Sequence, residues 1–523
     1  MPHIIKRQIF NLLLDTEQDA FHLQHRVSNY NQQQIIQILQ KVFDEICAND
    51  ESIYIDKLEI DLGNISVKEI KDDQWAYLFE AKLKEKLKNI SGANEDGVTV
   101  LREPQAFSIF RQWIFSMNNG YLPWNAAQVN ETWYDKVLES IATDHKIADE
   151  LRSSLRNNKI IVERIILQHS ISFLISLAEL LTAEKQDRLS NLTIEFFDAL
   201  KFLQEKSKQI FLLDKRKIEI KIWKEVFDLS GVQTTSATSA KFTSEIIIEH
   251  LVKIFFSSQQ IKQLLKSKTV TFKLPVTLTA FKKAMIKNIA EENNKQQIIN
   301  DEFLEKASGL ISKKDDLITS MGKEKKKSEK FYTKDKAENI DPEIIKPRKT
   351  ILEIVAENEI FVQNAGVILL HPFLNSFFKI LGYVHEGKFI SKEFQHKALY
   401  LIHFLATGNA EAHEHDLVIA KIICALPLDE PTDNFVELTE QELREADNLL
   451  AAVIASWEIL KSTSAAGLRE SFLQRSGKLQ VKNGELYLQL ESSSIDMLLD
   501  HLPWNLSIIK LPWMENILRV EWR

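Results

Sequence analysis

The stretch Leu438 to Leu460, LTEQELREADNLLAAVIASWEIL, decides the fold class. Thr439 and Glu442 form a capping box: the threonine hydroxyl accepts an orphan helix N–H, and the glutamate accepts the N–H of Thr439 in return. Leu438 and Leu443 supply the accompanying hydrophobic staple. From there Leu443, Ala446, Leu449, Leu450, Val453, Ile454, Trp457 and Leu460 recur at three- and four-residue spacing, which predicts a helix of about five turns with one buried side. A side that wide needs other helices to cover it. One of them runs from about Ser391 through His396, Leu399, Ile402, His403 and Ala406 and stops at Gly408.

After the helix the period changes. Asn483-Gly484 predicts a type I′ hairpin turn, because both central positions want positive φ. Pairing around it sets Val481 opposite Leu486 and Leu479 opposite Leu488, with Lys482, Glu485, Tyr487 and Gln489 on the other face. The hairpin, 478–491, therefore packs one face on the helices. Leu502-Pro503-Trp504 and Leu511-Pro512-Trp513 follow, and Leu122-Pro123-Trp124 is a third copy upstream. Proline fixes its own φ and disfavours helix for the residue before it, so each Trp sits at an element edge. These indoles are either buried corner aromatics or anchors for a protein partner. Between Gly467 and Arg475, Arg469, Glu470 and Arg475 surround Phe472 and Leu473, which suits ion pairing within the fold or a contact to a partner.

Toward the N-terminus, Ile5 to Leu14 reads as a strand, about Asn31 to Cys47 as a helix, and Ile53 to Leu62 as a second strand with a bulge near Lys57. Glu59 and Asp61 fall on its solvent side. Residues 66–90 form a charged helix, and Ser91 to Asp96 a short linker. A further helix starts near Pro104, carries Phe107, Phe110, Trp113, Ile114 and Met117, and ends at Asn119-Gly120. Helical segments continue to about 300, broken at Asp144, Asn157-Asn158, Ser190-Asn191, Ser230-Gly231 and 234–240, without a heptad register or a repeat consensus. Residues 312–350 are dominated by Lys and Glu and read as a flexible linker. The expected organisation is mainly α and multidomain: a small α/β module at 1–92, a helical region at 100–311, a charged linker at 312–350, and a helical module with a β-hairpin at 351–523.

Composition agrees. Of 523 residues, 44% are hydrophobic, and only 14 are Gly and 11 Pro, which favours packed helices over disorder or turn-rich sheet. The net charge of -8 recommends no nucleic-acid partner. Cys47 and Cys424 allow one disulfide at most and read as buried thiols. Acidic residues from Asp15 onward come too soon for a signal peptide's apolar core, so Sec export is not expected. The apolar stretch Gly366 to Leu381 is interrupted by His371, Pro372, Asn375 and Lys379, so no membrane insertion is expected. His413, His415 and Asp416 are the tightest ligand-like cluster, but their spacing matches no zinc motif and a polar loop explains them. No nucleophile elbow, P-loop or dinucleotide loop is present. No catalytic residue, metal or cofactor is expected.

Taken together, the markers resemble the tape measure proteins of contractile injection systems, phage-tail-like particles found especially in Bacteroidetes. The N-terminal markers are His3, Ile5, Arg7, Leu23-Gln24, and Ile55 through Gly63. Gly120-Tyr121-Leu122-Pro123-Trp124 is the next. The C-terminal markers are Asn364-Ala365-Gly366, Leu369 through Leu374, Leu405-Ala406-Thr407-Gly408, Glu414-His415, Lys421, Leu426-Pro427-Leu428, Gly467 through Arg475, both late Leu-Pro-Trp triplets, and Val520-Glu521-Trp522. Lys57 stands where the family pattern has Arg, which keeps the charge without the planar fork.

The resemblance implies a non-enzymatic assembly role that helps set inner-tube length. The implied partners are inner-tube and baseplate proteins, with self-association as a further possibility. The implied place is the cytoplasm during assembly and the particle afterwards. Trp124, Arg469, Glu470, Phe472, Arg475, Trp504 and Trp513 are the protein-binding candidates. A ruler built from the roughly 220 central residues would reach only about 330 Å as a helix. A globular scaffold or tube-end cap is the alternative, and a metal-dependent enzyme using His413 and His415 the remote one.

Overall fold

The computed structural model describes residues 3–14, 20–47, 50–71, 75–90, 99–126, 129–182, 214–232, 244–256, 282–291, 349–434 and 436–522, with a few residues between 193 and 204. The protein is mainly helical, with a small N-terminal sheet and a mixed C-terminal one. Two compact units divide the chain: Met1–Leu181 with Ile351–Arg523, and Thr182–Thr350. The first division cuts through the 100–311 segment, because the helices at 105–168 bury their apolar faces within the first unit. The expected linkers at 91–96 and 312–348, and the breaks at Ser190-Asn191 and 234–240, lie outside the described residues.

At the N-terminus the helix starts earlier than the sequence periodicity suggests. Ala20–Tyr30 and Ile36–Ile46 are joined by a π-helical turn, Asn31–Ile35. Leu23, Val27, Leu39 and Val42 pack with Trp75, Phe79, Leu83 and Leu87 of the helix Trp75–Ile90. The charged helix expected at 66–90 is thus two described pieces, Val67–Lys71 and Trp75–Ile90.

Strand β1, Glu51–Ile55, pairs antiparallel with β2, Val100–Pro104, in the register Ile53 opposite Arg102. One expectation is corrected here and another is met in part. Residues 58–62 keep their alternation, with Leu58, Ile60 and Leu62 half-buried against the N-terminal core, and among the described residues the ladder ends at Ile55. Ile5 to Leu14 is not a strand: no described residue pairs with it, and its apolar side chains on both faces stay exposed. A strand needs a partner ladder, and none is formed with this segment among the described residues.

The helix Gln105–Asn119 ends on Gly120 at φ 79, as its C-terminal glycine predicts. Glu131–Thr143, His145–Asn157 and Lys159–Gln168 follow as separate helices, capped by the side chains of Asn130, Asp144 and Asn158. In the second unit the helix Lys215–Val232 runs through Ser230-Gly231 without the expected break, and the Ser230 hydroxyl donates to the Val226 carbonyl. Trp223, Val226 and Phe227 are buried on it, as are Ile247, Leu251 and Val252 on Ser244–Phe255.

The C-terminal region follows its local signals. The capping box at Thr439 and Glu442 is formed and starts the helix Glu440–Ser456, which buries Ala446, Leu450 and Val453. This helix stops at Ser456, one turn early, and Glu458–Leu460 continues as 3-10 helix. Ser391 caps Lys392–Thr407, which ends on Gly408 at φ 77. The hairpin is the centre of a larger sheet than the sequence pattern reveals. Its order is β3-β6-β7-β9-β8, where β3 is Ile360–Val362, β6 Gly477–Lys482, β7 Glu485–Leu490, β8 Ile508–Ile509 and β9 Leu518–Glu521. A separate two-residue ladder pairs β4, Val384–His385, with β5, Lys388–Phe389. Val481 does oppose Leu486, and Leu479 opposes Leu488. Asn483 and Gly484 hold φ 53 and 78, the geometry of a type I′ turn. β9 joins β7 in parallel, a pairing no local pattern announces.

Candidate functional site: a buried charged clasp

Lys159–Gln168 is apolar nearly all round, with Ile161, Val162, Ile165, Ile166 and Leu167 buried. Arg164 lies among them and is wholly buried. A guanidinium there must find partners for all of its donors. Its Nε donates to Glu414 Oε2 at 2.8 Å, its Nη1 to the Met117 carbonyl, and its Nη2 to the Asp429 carbonyl at 2.8 Å. Arg164 and Glu414 are 250 residues apart in the chain.

Glu414 is itself 2% exposed and takes a second cation on its other oxygen. Lys421 Nζ donates to Glu414 Oε1 at 2.5 Å and to the carbonyls of Leu428 and Glu430 at 3.1 and 2.7 Å. Burial pulls the Lys421 ammonium below its ordinary pKa, while the Glu414 carboxylate beside it pushes the other way. The neighbouring backbone completes the joint. Gln168 accepts from the Glu414 N–H at 2.8 Å and donates to the Thr432 carbonyl at 2.7 Å, and the Asn434 N–H donates to the Leu167 carbonyl at 3.1 Å.

Gly120 closes the site from a third segment. A Cβ there would meet Glu414 Oε1 at 2.5 Å and the Leu428 carbonyl at 2.9 Å, on a backbone with φ 79. The markers Gly120, Glu414, Lys421 and Leu428 thus meet at one point, although they lie in two distant blocks of sequence.

Beside the clasp is an aromatic and histidine cluster. Trp113 Nε1 donates to His169 Nε2 at 3.1 Å, and His169 Nδ1 bonds the Ile165 carbonyl at 2.9 Å, which fixes the neutral tautomer protonated on Nδ1. Burial holds the His169 pKa down at about 3. Tyr134 packs on His169, Phe173 and His413. His413 stands at the N-cap of the 3-10 turn Glu414–Leu417, where its backbone N–H donates to the Asp416 carboxylate at 3.3 Å. These histidines support the turn that presents Glu414. Among the described residues no group of His, Cys, Asp or Glu is arranged to hold a metal ion.

The seven candidate residues do not converge on one surface. Phe472 is buried against Trp457. Arg469 donates to the Leu405 carbonyl at 3.2 Å and to Asp447 at 3.1 Å, beside Gly408. Arg475 bonds the Ser471 carbonyl and pairs with Asp496 at 3.3 Å. Trp504 and Trp513 are half-buried, and their indole N–H groups donate to the carbonyls of Leu369 at 3.1 Å and Ile423 at 2.8 Å. Trp124 is half-buried near the Tyr54 ring, and Glu470 is exposed. Five of the seven thus spend their functional groups inside the C-terminal part of the fold. Arg164, Gln168 and His169 escaped the sequence reading. The one available signal was a guanidinium in the middle of an apolar helix, a position that demands a buried partner.

No curated protein and no solved structure matches the chain. The sequence profile of the family described as contractile injection system tape measure protein matches residues 2–522. With a match across nearly its whole length, from the N-terminal markers through the clasp to the closing Trp522, the chain belongs to the contractile injection system tape measure protein family.

Proposed function

We propose that this chain takes part in tube assembly as a clasped body, with its N- and C-terminal blocks held together while it engages tube and baseplate components. Family membership makes it a structural assembly protein of a contractile injection system and not an enzyme. The observation that carries the reading is the fully buried ion pair between Arg164 and Glu414, which joins the two blocks within one compact unit. A rod stretched between its two termini would have to pull that centre, and the apolar helix faces packed around it, apart into water. With the ends held, the roughly 170 residues of Thr182–Thr350 leave and re-enter the same unit, so as helix they would reach only about 130 Å out and back. Of the candidate contacts, Glu470 is exposed, and the half-buried Trp124, Trp504 and Trp513 keep part of their surface to offer a partner.

The test is a series of in-frame deletions within 182–350, with tube length measured by electron microscopy of assembled particles. A clasped body predicts unchanged length throughout the series. Shortening in proportion to the residues removed would establish an open ruler and overturn the reading.

A further inference from the structure

Ile4 to Leu14 has unusual surroundings for so apolar a segment. Seven of its large apolar side chains are exposed, among them Ile9 at 63% and Leu13 at 100%. Among the described residues, its only polar tie is the ion pair from Lys6 to Glu359 Oε2 at 3.1 Å, next to the His3 bond to Asp44. None of its backbone groups bonds to any described residue. Glu359 directly precedes β3, and β3 is the terminal strand of the five-stranded sheet, laddered to β6 on one side only. Among the described residues, the chain therefore holds a strand-forming sequence without a sheet beside an edge strand without a second neighbour.

We propose that Ile4–Leu14 of one copy adds as a strand to the β3 edge of a second copy, steered by Lys6 and Arg7 onto the acidic approach formed by Glu357 and Glu359. Within one chain Lys6 already reaches Glu359 and no ladder forms between these two segments, which favours a second copy as the donor of the strand. Exchange between two copies is reciprocal: each gives one segment and receives one, which doubles the interface and closes it with two-fold symmetry. Apolar residues on both faces of the segment suit a strand that is covered on both sides once paired.

The experiment uses the full chain. Sedimentation of the wild-type protein should show a concentration-dependent dimer, and removal of residues 3–14 should leave a monomer with unchanged melting temperature. Lys6→Glu should weaken the dimer about tenfold, and Glu359→Lys added to it should restore the affinity. To separate exchange from closure within one chain, Lys6→Cys and Glu359→Cys copies, each with Cys47→Ser, are mixed and treated with a short bismaleimide. Covalent heterodimer is expected. A wild-type monomer at all concentrations, a dimer indifferent to the deletion, or cross-linking only when both cysteines share one chain would each overturn the proposal.

Discussion

Arg164 does three jobs at once: it neutralises Glu414 and satisfies the carbonyls of Met117 and Asp429. Arg164→Met should therefore destabilise the first unit by about 3–5 kcal/mol, measured by urea unfolding. Arg164→Lys should recover little of this, because a single ammonium cannot span three acceptors that a planar fork reaches together. Gly120 offers a sharper comparison. Gly120→Ala meets both a positive φ and a carboxylate oxygen at 2.5 Å, whereas Gly484→Ala meets a positive φ of 78 with open space around it. The first should cost at least about 2 kcal/mol and the second about 1 kcal/mol in the same assay.

The histidines add a pH dependence whose direction follows from burial. His169 is held neutral, with a folded pKa of about 3, below the value of about 6.5 expected in the unfolded chain. Between these values the unfolded state binds the extra proton, so stability is fullest above pH 6.5 and falls as the pH drops. The loss is about 1.4 kcal/mol per pH unit for this group. His415, lowered by burial in the same direction, adds to it. Comparing unfolding free energies at pH 6.5 and 4.5, His169→Phe should show a shallower decline than wild type. An equal slope would mean that His169 is not the buried neutral group described here.

At the scale of elements, local chemistry explains the helix ends and the hairpin well. Thr439, Ser391, Gly408 and Asn483-Gly484 all sit where their residue types predict, because a cap or a turn is decided by four or five neighbouring residues. Thr439→Ala should lower stability by about 1 kcal/mol, read as a shift in the urea midpoint. The sheet around the hairpin was not legible. β3, β8 and β9 are two to four residues long, and β9 enters in parallel, with Leu518 paired to Leu486. Strands so short carry too few residues to display a period. The failed strand at Ile5 to Leu14 is the converse case: an apolar, strand-forming composition alone cannot supply the neighbour that a ladder needs. The Leu-Pro-Trp triplets were recognisable as corners, yet only the fold shows that two of the indoles reach across to the carbonyls of Leu369 and Ile423.

For the whole molecule, the clasp makes the two terminal blocks interdependent. Residues 351–523 expressed alone would keep Glu414 and Lys421 but lose Arg164 and Gln168, so this fragment should not unfold cooperatively, and co-expression with 1–181 should restore a single transition by calorimetry. A chain in which 182–350 is replaced by a flexible linker of about 30 residues should instead retain the melting temperature of the first unit. What the amino-acid order determined by itself was everything settled between near neighbours: helix periodicity, caps, the type I′ turn, and the blocks of markers that identify the family. Only the tertiary structure decided that those blocks close on one another through Arg164, Glu414 and Lys421. A buried charge chooses its partner by where the packed helices bring the two together, and a separation of 250 residues leaves no trace of that choice in any local pattern.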